Sequence, residues 1–174
     1  MAGVVVLIPA YNEELTIGSM VLLTNPMVTK TIVIDDGSLD KTSQIAKSAG
    51  AEVIRIEKNQ GKANAVLLGF RQASLMCPDA VVMLDADGQH DPMEIPQIIK
   101  PIIEGKADLV IGSRFLETKN MVPKYRRIGQ KTLDYAQNME ATFKTTDSQS
   151  GFRALSKRSL ENLDFFIVNK LIIK

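Results

Sequence analysis

The 174-residue chain is poor in cysteine, in histidine and in long apolar runs. Its single cysteine, Cys77, excludes an internal disulfide and a cysteine-based zinc site, and we expect it to be a half-buried residue without a role. A single thiol is typical of a protein from a reducing, cytosolic compartment. The longest purely apolar runs are residues 4–8 and 80–84, far short of the ~20 residues that a membrane-spanning helix needs.

Positive and negative side chains nearly balance. Lysine and arginine number 21 against 20 for aspartate and glutamate, so the composition provides no argument for nucleic-acid binding. The start of the chain has no basic segment followed by an apolar stretch, and we therefore expect no secretory leader. The end, residues 165–174, is apolar and has no polar tail. That pattern fits a chain cut inside a structural element, or an apolar end that meets a membrane or a partner.

Short β-type runs alternate with helical segments. The predicted strands are residues 4–8, 31–34, 52–56, 80–84 and 109–111. The predicted helices are residues 13–23, 41–49, 63–75, 93–104 and about 124–140. In the third helix, Val66, Gly69, Phe70 and Ala73 form the stripe that we expect to pack on a sheet. Alternation with nearly all-apolar strands predicts an α/β fold with a mostly parallel central sheet flanked by helices.

Polar residues follow four of the predicted strands. They occupy residues 9–13, 35–38, 85–89 and 112–114. Ligands of open α/β sheets bind beyond the carboxyl ends of the strands, which is where all four groups fall. The repeated placement predicts a binding site at that edge of the sheet.

The group at 85–89 reads Asp-Ala-Asp-Gly-Gln directly after an apolar strand. Alternation along an extended chain directs Asp85 and Asp87 to the same side, with Gln89 two residues further on. Carboxylates placed in this way repel unless a cation lies between them, and oxygen ligands select hard ions such as Mg²⁺ or Mn²⁺. Unless these acids merely solvate the strand end, the pattern predicts a phosphate-bearing substrate held by a metal ion.

Two other motifs share this pattern. A calcium EF-hand loop that began at Asp85 would need glycine and glutamate where the chain has His90 and Pro96, so that interpretation fails. A phosphatase of the haloacid dehalogenase type would use the first aspartate as nucleophile. That alternative stays open, although such enzymes carry the motif near the N-terminus with an acidic pair downstream, and here the pair Asp35-Asp36 lies upstream.

The group at 35–38 has two interpretations. One of its aspartates is suited to a nucleobase N–H or to ribose hydroxyls, or else the residues form a capped turn, since Asp, Gly and Ser are typical turn residues. Residues 59–62 read Asn-Gln-Gly-Lys before a helix, where backbone N–H groups and Lys62 suit a phosphate or a base. The sequence contains neither a complete phosphate-binding loop nor a Gly-x-Gly-x-x-Gly fingerprint.

The single histidine and two arginines complete the candidates. We interpret His90 as a structural hydrogen-bonding residue rather than a metal or phosphate ligand. The guanidinium group matches phosphate oxygens, so we expect Arg114, at a strand end, and Arg153, within 150–154, to capture anions.

Four segments carry a resemblance to a known family. They are 7–14 (Leu-Ile-Pro-Ala-Tyr-Asn-Glu-Glu), 34–42 (Ile-Asp-Asp-Gly-Ser-Leu-Asp-Lys-Thr), 59–62 (Asn-Gln-Gly-Lys) and 84–90 (Leu-Asp-Ala-Asp-Gly-Gln-His). In this order they resemble glycosyltransferase family 2, the inverting nucleotide-sugar transferases with the GT-A fold. Segments 112–114 and 147–154 are similar to the branch that charges dolichyl or polyprenyl phosphate with a sugar, as dolichyl-phosphate mannose synthase does. The resemblance spans roughly residues 4–156.

The resemblance implies a role for each matching residue. The implied nucleotide-binding residues are Pro9, Tyr11, Glu13, Asp36, Lys62, Asp85 and Ala86. The implied metal ligands are Asp85, Asp87 and Gln89, with Mg²⁺ or Mn²⁺ as the cofactor. The implied acceptor-phosphate residues are Arg114 and Arg127, and the implied catalytic residues are Asp87, Arg114, Asp147 and Arg153.

The implied function is transfer of a hexose from a UDP- or GDP-linked sugar to polyprenyl (dolichyl) phosphate. The resemblance also implies a single GT-A domain over residues 1–174, peripheral contact with the cytoplasmic face of a membrane, and C-terminal membrane-associated helices that are absent or truncated. A phosphate acceptor needs no general base, whereas a sugar hydroxyl does, and Asp147 is then the candidate base. Transfer to a sugar hydroxyl and an inactive nucleotide-binding module stay open as alternatives.

Overall fold

The computed structural model describes residues 3–112 and 151–162. The strands of this part are β1 (Val4–Ala10), β2 (Lys30–Asp35), β3 (Glu52–Arg55), β4 (Ala80–Met83), β5 (Leu109–Ile111) and β6 (Arg153–Ser156). The helices are α1 (Ile17–Thr24), α2 (Thr42–Ser48), α3 (Lys62–Ser74) and α4 (Ile95–Ile103). Residues 157–162 are also helical, and Asn25–Met27 and Pro92–Glu94 form short 3-10 turns. The predicted helix at 124–140 lies outside the described residues.

The six strands form one sheet in the order β3-β2-β1-β4-β6-β5. The strands β3, β2, β1 and β4 are parallel to one another, and β6 runs antiparallel to both β4 and β5. This mostly parallel sheet flanked by helices confirms the predicted fold class and all five predicted strands. We did not predict β6, because its four residues form neither an apolar run nor a polar–apolar alternation. Its pairing partners, rather than its own sequence, determine that it is a strand.

The core lies on both faces of the sheet. All seven residues of β1 are buried, and alternate residues face opposite sides. Val6 and Ile8 belong to the apolar cluster that includes residues of α1 and α4, whereas Val5 and Leu7 belong to the cluster that includes residues of α3. Helices on both faces explain why the central strands are apolar throughout.

The third helix contacts the sheet through small residues. Ala65, Gly69 and Ala73 are buried at four-residue spacing, and Phe70 packs against the same apolar cluster. The predicted stripe is therefore correct for Gly69, Phe70 and Ala73. Val66 is only half-buried and Ala65 takes its place, because the small side chain allows the N-terminal turn of the helix to lie against the sheet.

Further details differ from the prediction. The first helix begins at Ile17 rather than at residue 13, since the Glu13 carbonyl accepts the N–H groups of Thr16 and Ile17 in a preceding turn (3.2 and 3.0 Å). Cys77 is exposed rather than half-buried, because it lies in the turn after α3. Within residues 3–112 and 151–162, no helix is long and apolar enough to cross a membrane.

The close approach of α3 predicts a stability difference between two valine substitutions. A Cβ at Gly69 would lie 2.7 Å from Ile34 Cδ1, so we expect Gly69→Val to lower the free energy of unfolding by about 2–3 kcal/mol through overpacking. Ala63 is exposed on the same helix, and Ala63→Val should cost less than about 1 kcal/mol, from helix propensity alone. Urea denaturation of both variants measures the difference, and equal losses would contradict the packing argument.

Candidate functional site

A pocket of about 280 Å³ opens at the edge of the sheet where β1, β2 and β4 end. It is lined by Pro9, Ala10, Tyr11, Glu13, Asp36, Asn59, Lys62, Ala65, Asp85, Ala86 and Asp87. The structure therefore brings together all seven residues of the implied nucleotide set, and Asp87 beside them. The prediction omitted Ala10, Asn59 and Ala65. The two alanines carry no chemical signature in the sequence, whereas Asn59 belongs to the segment at 59–62 that we had singled out.

Side-chain hydrogen bonds join the segment after β1 to the segment after β2. Asn12 N donates to Ser38 Oγ (2.9 Å), and Leu39 N donates in return to Asn12 Oδ1 (2.8 Å). Glu13 N donates to Thr42 Oγ1 at 2.8 Å. Asn12 has a φ of 55°, a left-handed conformation that asparagine tolerates better than most residues. These bonds fix the path of the pocket wall that follows β1.

Asp35 is a fully buried structural carboxylate. Its Oδ1 accepts from Ser38 N at 2.8 Å, and its Oδ2 accepts from Arg55 Nη1 at 3.3 Å and from the Ser43 hydroxyl. Arg55 Nη2 also donates to the Ser38 carbonyl at 2.7 Å. Asp35 therefore holds the turn at 35–38, as the capped-turn interpretation predicts, because a buried charge needs partners of this kind.

Asp36 connects the same turn to the loop before α3. Its Oδ1 accepts from Gln60 N and its Oδ2 from Gly61 N, both at 2.8 Å, and the residue is almost fully buried. Each carboxylate oxygen has a second acceptor position, so Asp36 can still accept a hydrogen bond from a ligand in the pocket that it lines. Asp35 therefore fits the capped-turn interpretation, whereas Asp36 both ties the turn to the loop before α3 and lines the pocket.

Asp85 is contacted from three parts of the chain. Its Oδ1 accepts from Lys62 Nζ at 2.5 Å, and its Oδ2 lies 3.8 Å from His90 Nε2. The backbone of Gly151 passes so close that a Cβ there would overlap the carboxylate. The His90 imidazole and the Lys62 ammonium lower the pKa of Asp85 to about 2, although burial acts in the opposite direction. Asp85 is therefore ionised at neutral pH.

His90 lies behind Asp85 rather than in the pocket wall. It is buried, and its ring centroid is 5.5 Å from that of Phe152, with the planes tilted by 36°. The interpretation of His90 as a structural residue agrees with this position. Through His90 and Phe152 the segment at 85–90 packs against the segment that begins at Gly151, a link that sequence spacing did not reveal.

The oxygen donors of the pocket fit a hard divalent cation. Asp85 and Asp87 line the same pocket, whereas Gln89 is exposed and does not line it. Asp87 Oδ1 accepts from Gln89 N at 3.0 Å, which fixes the turn between them. Among the residues that the structure describes, no three His, Cys, Asp or Glu side chains form a metal-binding group. Two carboxylates suffice for Mg²⁺-type binding when phosphate oxygens and water complete the shell.

Of the remaining predicted residues, Arg153 belongs to the described part of the structure. Arg153 is half-buried in β6, opposite Met83 of β4 and Ile111 of β5, and does not line the pocket. The other predicted acceptor and catalytic residues, Arg114, Arg127 and Asp147, lie outside the described residues.

The sequence matches the model of glycosyl transferase family 2 over residues 5–164. This chain belongs to glycosyltransferase family 2. The match confirms the family resemblance and the enzyme class, and it decides against the phosphatase alternative. The solved structures similar to this family 2 chain are GT-A glycosyltransferases, which confirms the predicted GT-A fold.

Three known proteins illustrate the similarity. The UDP-N-acetylglucosamine–dolichyl-phosphate N-acetylglucosaminyltransferase of Methanococcus voltae is 37% identical in an alignment that covers 90% of this chain and 70% of that protein. The dolichol-phosphate mannosyltransferase of Pyrococcus furiosus is 31% identical, with 97% of this chain and 52% of that protein covered. Glucosyl-3-phosphoglycerate synthase of Mycobacterium tuberculosis, solved with Mn²⁺, UDP-glucose and glycerol 3-phosphate, has a TM-score of 0.68 at 26% identity. That match covers 90% of this chain and 57% of the synthase, so this chain spans only 52% to 70% of the three proteins.

The contact between the turn at 35–38 and the loop before α3 predicts unequal effects of two glycine substitutions. A Cβ at Gly37 would lie 2.7 Å from Asn59 N, and the residue has a φ of +75°. We expect Gly37→Ala to lower the free energy of unfolding by about 2–4 kcal/mol, from backbone strain and overlap together. Gly105 has a similar φ of +68° with nothing near its Cβ position, so Gly105→Ala should cost only about 1–2 kcal/mol. Denaturant titrations of both variants provide the comparison, and a loss at Gly37 no greater than at Gly105 would refute it.

The lowered pKa of Asp85 predicts a specific pH dependence of stability. The folded-state pKa of about 2 is below the value of about 3.9 in an unfolded chain, so ionised Asp85 favours the folded state. Its contribution is complete above about pH 4 and is lost as the pH falls through about 2. We expect wild-type protein to lose about 1–2 kcal/mol more than Asp85→Asn between pH 5 and pH 2, since partial exposure screens the pair. Urea denaturation at several pH values measures the difference. If the free energy of unfolding falls equally in the two proteins between pH 5 and pH 2, the Asp85 carboxylate is not stabilised in this way.

Proposed function

We propose that this chain provides the catalytic domain of a transferase that moves a hexose from a UDP- or GDP-linked sugar to polyprenyl (dolichyl) phosphate. The observation that carries the proposal is the composition of one pocket. Tyr11 and Asp36 suit a nucleoside, Lys62 suits a diphosphate, and Asp85 and Asp87 suit a divalent cation. The names of the Methanococcus and Pyrococcus relatives, which act on dolichyl and dolichol phosphate, support the acceptor.

In this proposal the wall formed after β1 and β2 binds the nucleoside. Pro9, Tyr11 and Glu13 follow one another along the first segment, and the Tyr11 ring is partly exposed, so its face is available to a base. Asp36 accepts from a base N–H or from ribose hydroxyls through its second acceptor positions. Ala86, small and buried between the two acids, allows the sugar diphosphate to approach the backbone.

Asp85 and Asp87, which line the pocket, hold Mg²⁺ or Mn²⁺ in the proposal. Gln89 is assigned as a third protein ligand from the family resemblance alone, since it does not line the pocket in this structure. When bound, the ion supplies positive charge that stabilises the leaving diphosphate. The Mn²⁺ and UDP-glucose in the solved synthase support the use of a divalent cation and a nucleotide sugar. The ionised state of Asp85 meets the requirement that a carboxylate ligand be deprotonated.

We assign the acceptor phosphate to Arg114 and Arg127, and we assign Arg153 to charge stabilisation on the phosphates. A phosphate monoester is already a nucleophile at neutral pH, since its second pKa is about 6, and the reaction then needs no general base. With a sugar hydroxyl as acceptor, Asp147 would have to take the proton. A lipid phosphate acceptor places the protein peripherally at a membrane, and we propose the cytoplasmic face.

The metal assignment predicts a nucleotide affinity that depends on Asp87. Asp87→Asn should weaken binding of UDP or GDP in the presence of Mn²⁺ by roughly tenfold or more, because one anionic ligand is lost. Isothermal titration calorimetry with each nucleotide, with and without Mn²⁺, measures the effect. Glu161 is exposed and distant from the pocket in sequence, so Glu161→Gln serves as the control and should bind as wild type does.

Nucleotide binding by wild type that is equally tight with and without Mn²⁺ would overturn the metal assignment. The sugar-linked form of the nucleotide that binds is then supplied as donor. Transfer of its labelled sugar to short-chain polyprenyl phosphate tests the acceptor. Binding without transfer to polyprenyl phosphate would favour the sugar-hydroxyl alternative or an inactive module, and transfer to a soluble glycan would separate those two.

A further inference from the structure

The ammonium group of Lys62 contacts Oδ1 of Asp85, one of the two carboxylates that we assign to the divalent cation. Lys62 Nζ lies 2.5 Å from Asp85 Oδ1, the shorter of the two ion-pair distances at this carboxylate. Both residues line the pocket, together with Asp87. A divalent ion and an ammonium group at one carboxylate oxygen repel each other, since their like charges would be only a few ångströms apart. Either Lys62 or the incoming ion must therefore give way.

The packing around the pair shows which group is able to move. Asp85 is held from behind by His90, and Gly151 leaves its carboxylate no room on that side. The Asp85 side chain is only 20% exposed, whereas the Lys62 side chain is 59% exposed. Lys62 is also the first residue of α3 and carries its charge on a flexible four-carbon stem. The carboxylate is thus a fixed point, and the lysine is the mobile partner.

We propose that Lys62 is the internal counter-ion of Asp85 and makes cation binding conditional on a nucleotide diphosphate. Without nucleotide, the ammonium group neutralises Asp85 and disfavours a divalent ion at the acid pair. A diphosphate in the same pocket supplies negative charge to which Lys62 transfers, and the transfer frees Asp85 Oδ1 for the ion. Lys62 is then a positioning residue that couples the two ligands, and the inference rests on the proposed cation site at Asp85 and Asp87.

Coupling of this kind predicts that loss of the lysine charge changes the affinities for the divalent ion and for the nucleotide in opposite directions. Removal of the ammonium charge should strengthen the binding of a divalent ion alone, because its competitor at Asp85 is gone. The same removal should weaken the binding of the nucleotide, because the diphosphate loses a cationic partner. A lysine that simply binds phosphate predicts only the second effect, and a lysine with a merely structural role predicts neither. Because coupling is reciprocal, nucleotide should also tighten Mn²⁺ binding in the wild type more than in the variant.

The test compares wild type with Lys62→Met, whose unbranched side chain is one heavy atom shorter than that of lysine and carries no charge. Titration of Mn²⁺ alone, followed by calorimetry and by the paramagnetic resonance signal of free Mn²⁺, should give roughly tenfold tighter binding for Lys62→Met. Titration of UDP and GDP in saturating Mn²⁺ should give weaker binding for the same variant. Lys62→Arg retains the charge and should resemble wild type with Mn²⁺ alone. Lys58→Met removes an exposed charge that does not line the pocket and should leave both affinities unchanged.

Each outcome has a distinct meaning. Opposite changes in the two affinities of Lys62→Met support the counter-ion role. Unchanged or weaker Mn²⁺ binding by Lys62→Met, in a protein whose wild type binds nucleotide in a Mn²⁺-dependent way, overturns the inference and leaves the proposed function intact. If no variant binds Mn²⁺ with or without nucleotide, the proposed cation site fails and the counter-ion role fails with it. Circular dichroism of each variant confirms that the fold is retained.

Discussion

The parallel pairing of β1 with both β2 and β4 is the constraint on which the rest of the structure depends. Parallel strands place their carboxyl ends at one edge of the sheet, so the segments that follow them meet there although they are far apart in sequence. The arrangement requires helices on both faces, and the apolar residues of β1 pack into two separate clusters. The pocket is therefore a consequence of how the core is built.

Buried acids give this edge its rigidity. Asp35 and Asp36 accept hydrogen bonds from backbone N–H groups, from Ser43 and from Arg55, and these partners offset the cost of removing the two charges from water. The bonds tie the turn after β2 to the loop before α3. Asp85 and Asp87, by contrast, are less buried than this pair, and both line the pocket.

Asp85 is the point at which distant parts of the chain meet. Lys62 reaches it from α3, His90 supports it from behind, and Gly151 passes against it at the start of the segment that leads into β6. The antiparallel insertion of β6 beside β4 brings Gly151 to that position. Three separate segments thus meet around one carboxylate of the pocket.

The sequence alone determined the class of the fold and the five strands of the regular alternation, because apolar periodicity is a local signal. The polar strand ends predicted a binding site at one edge of the sheet. As a set, seven of the residues that line the pocket there were implied only by the family resemblance. The sequence did not reveal β6, the replacement of Val66 by Ala65 on the face of α3, or the contacts of Asp85 with His90 and Gly151. It also did not reveal that Asp35 and Asp36 are both held by hydrogen bonds, Asp35 from Arg55 and Asp36 from the loop before α3. Only the tertiary structure decided these points, because each depends on which atoms another segment brings within a few ångströms, and sequence spacing does not encode that distance.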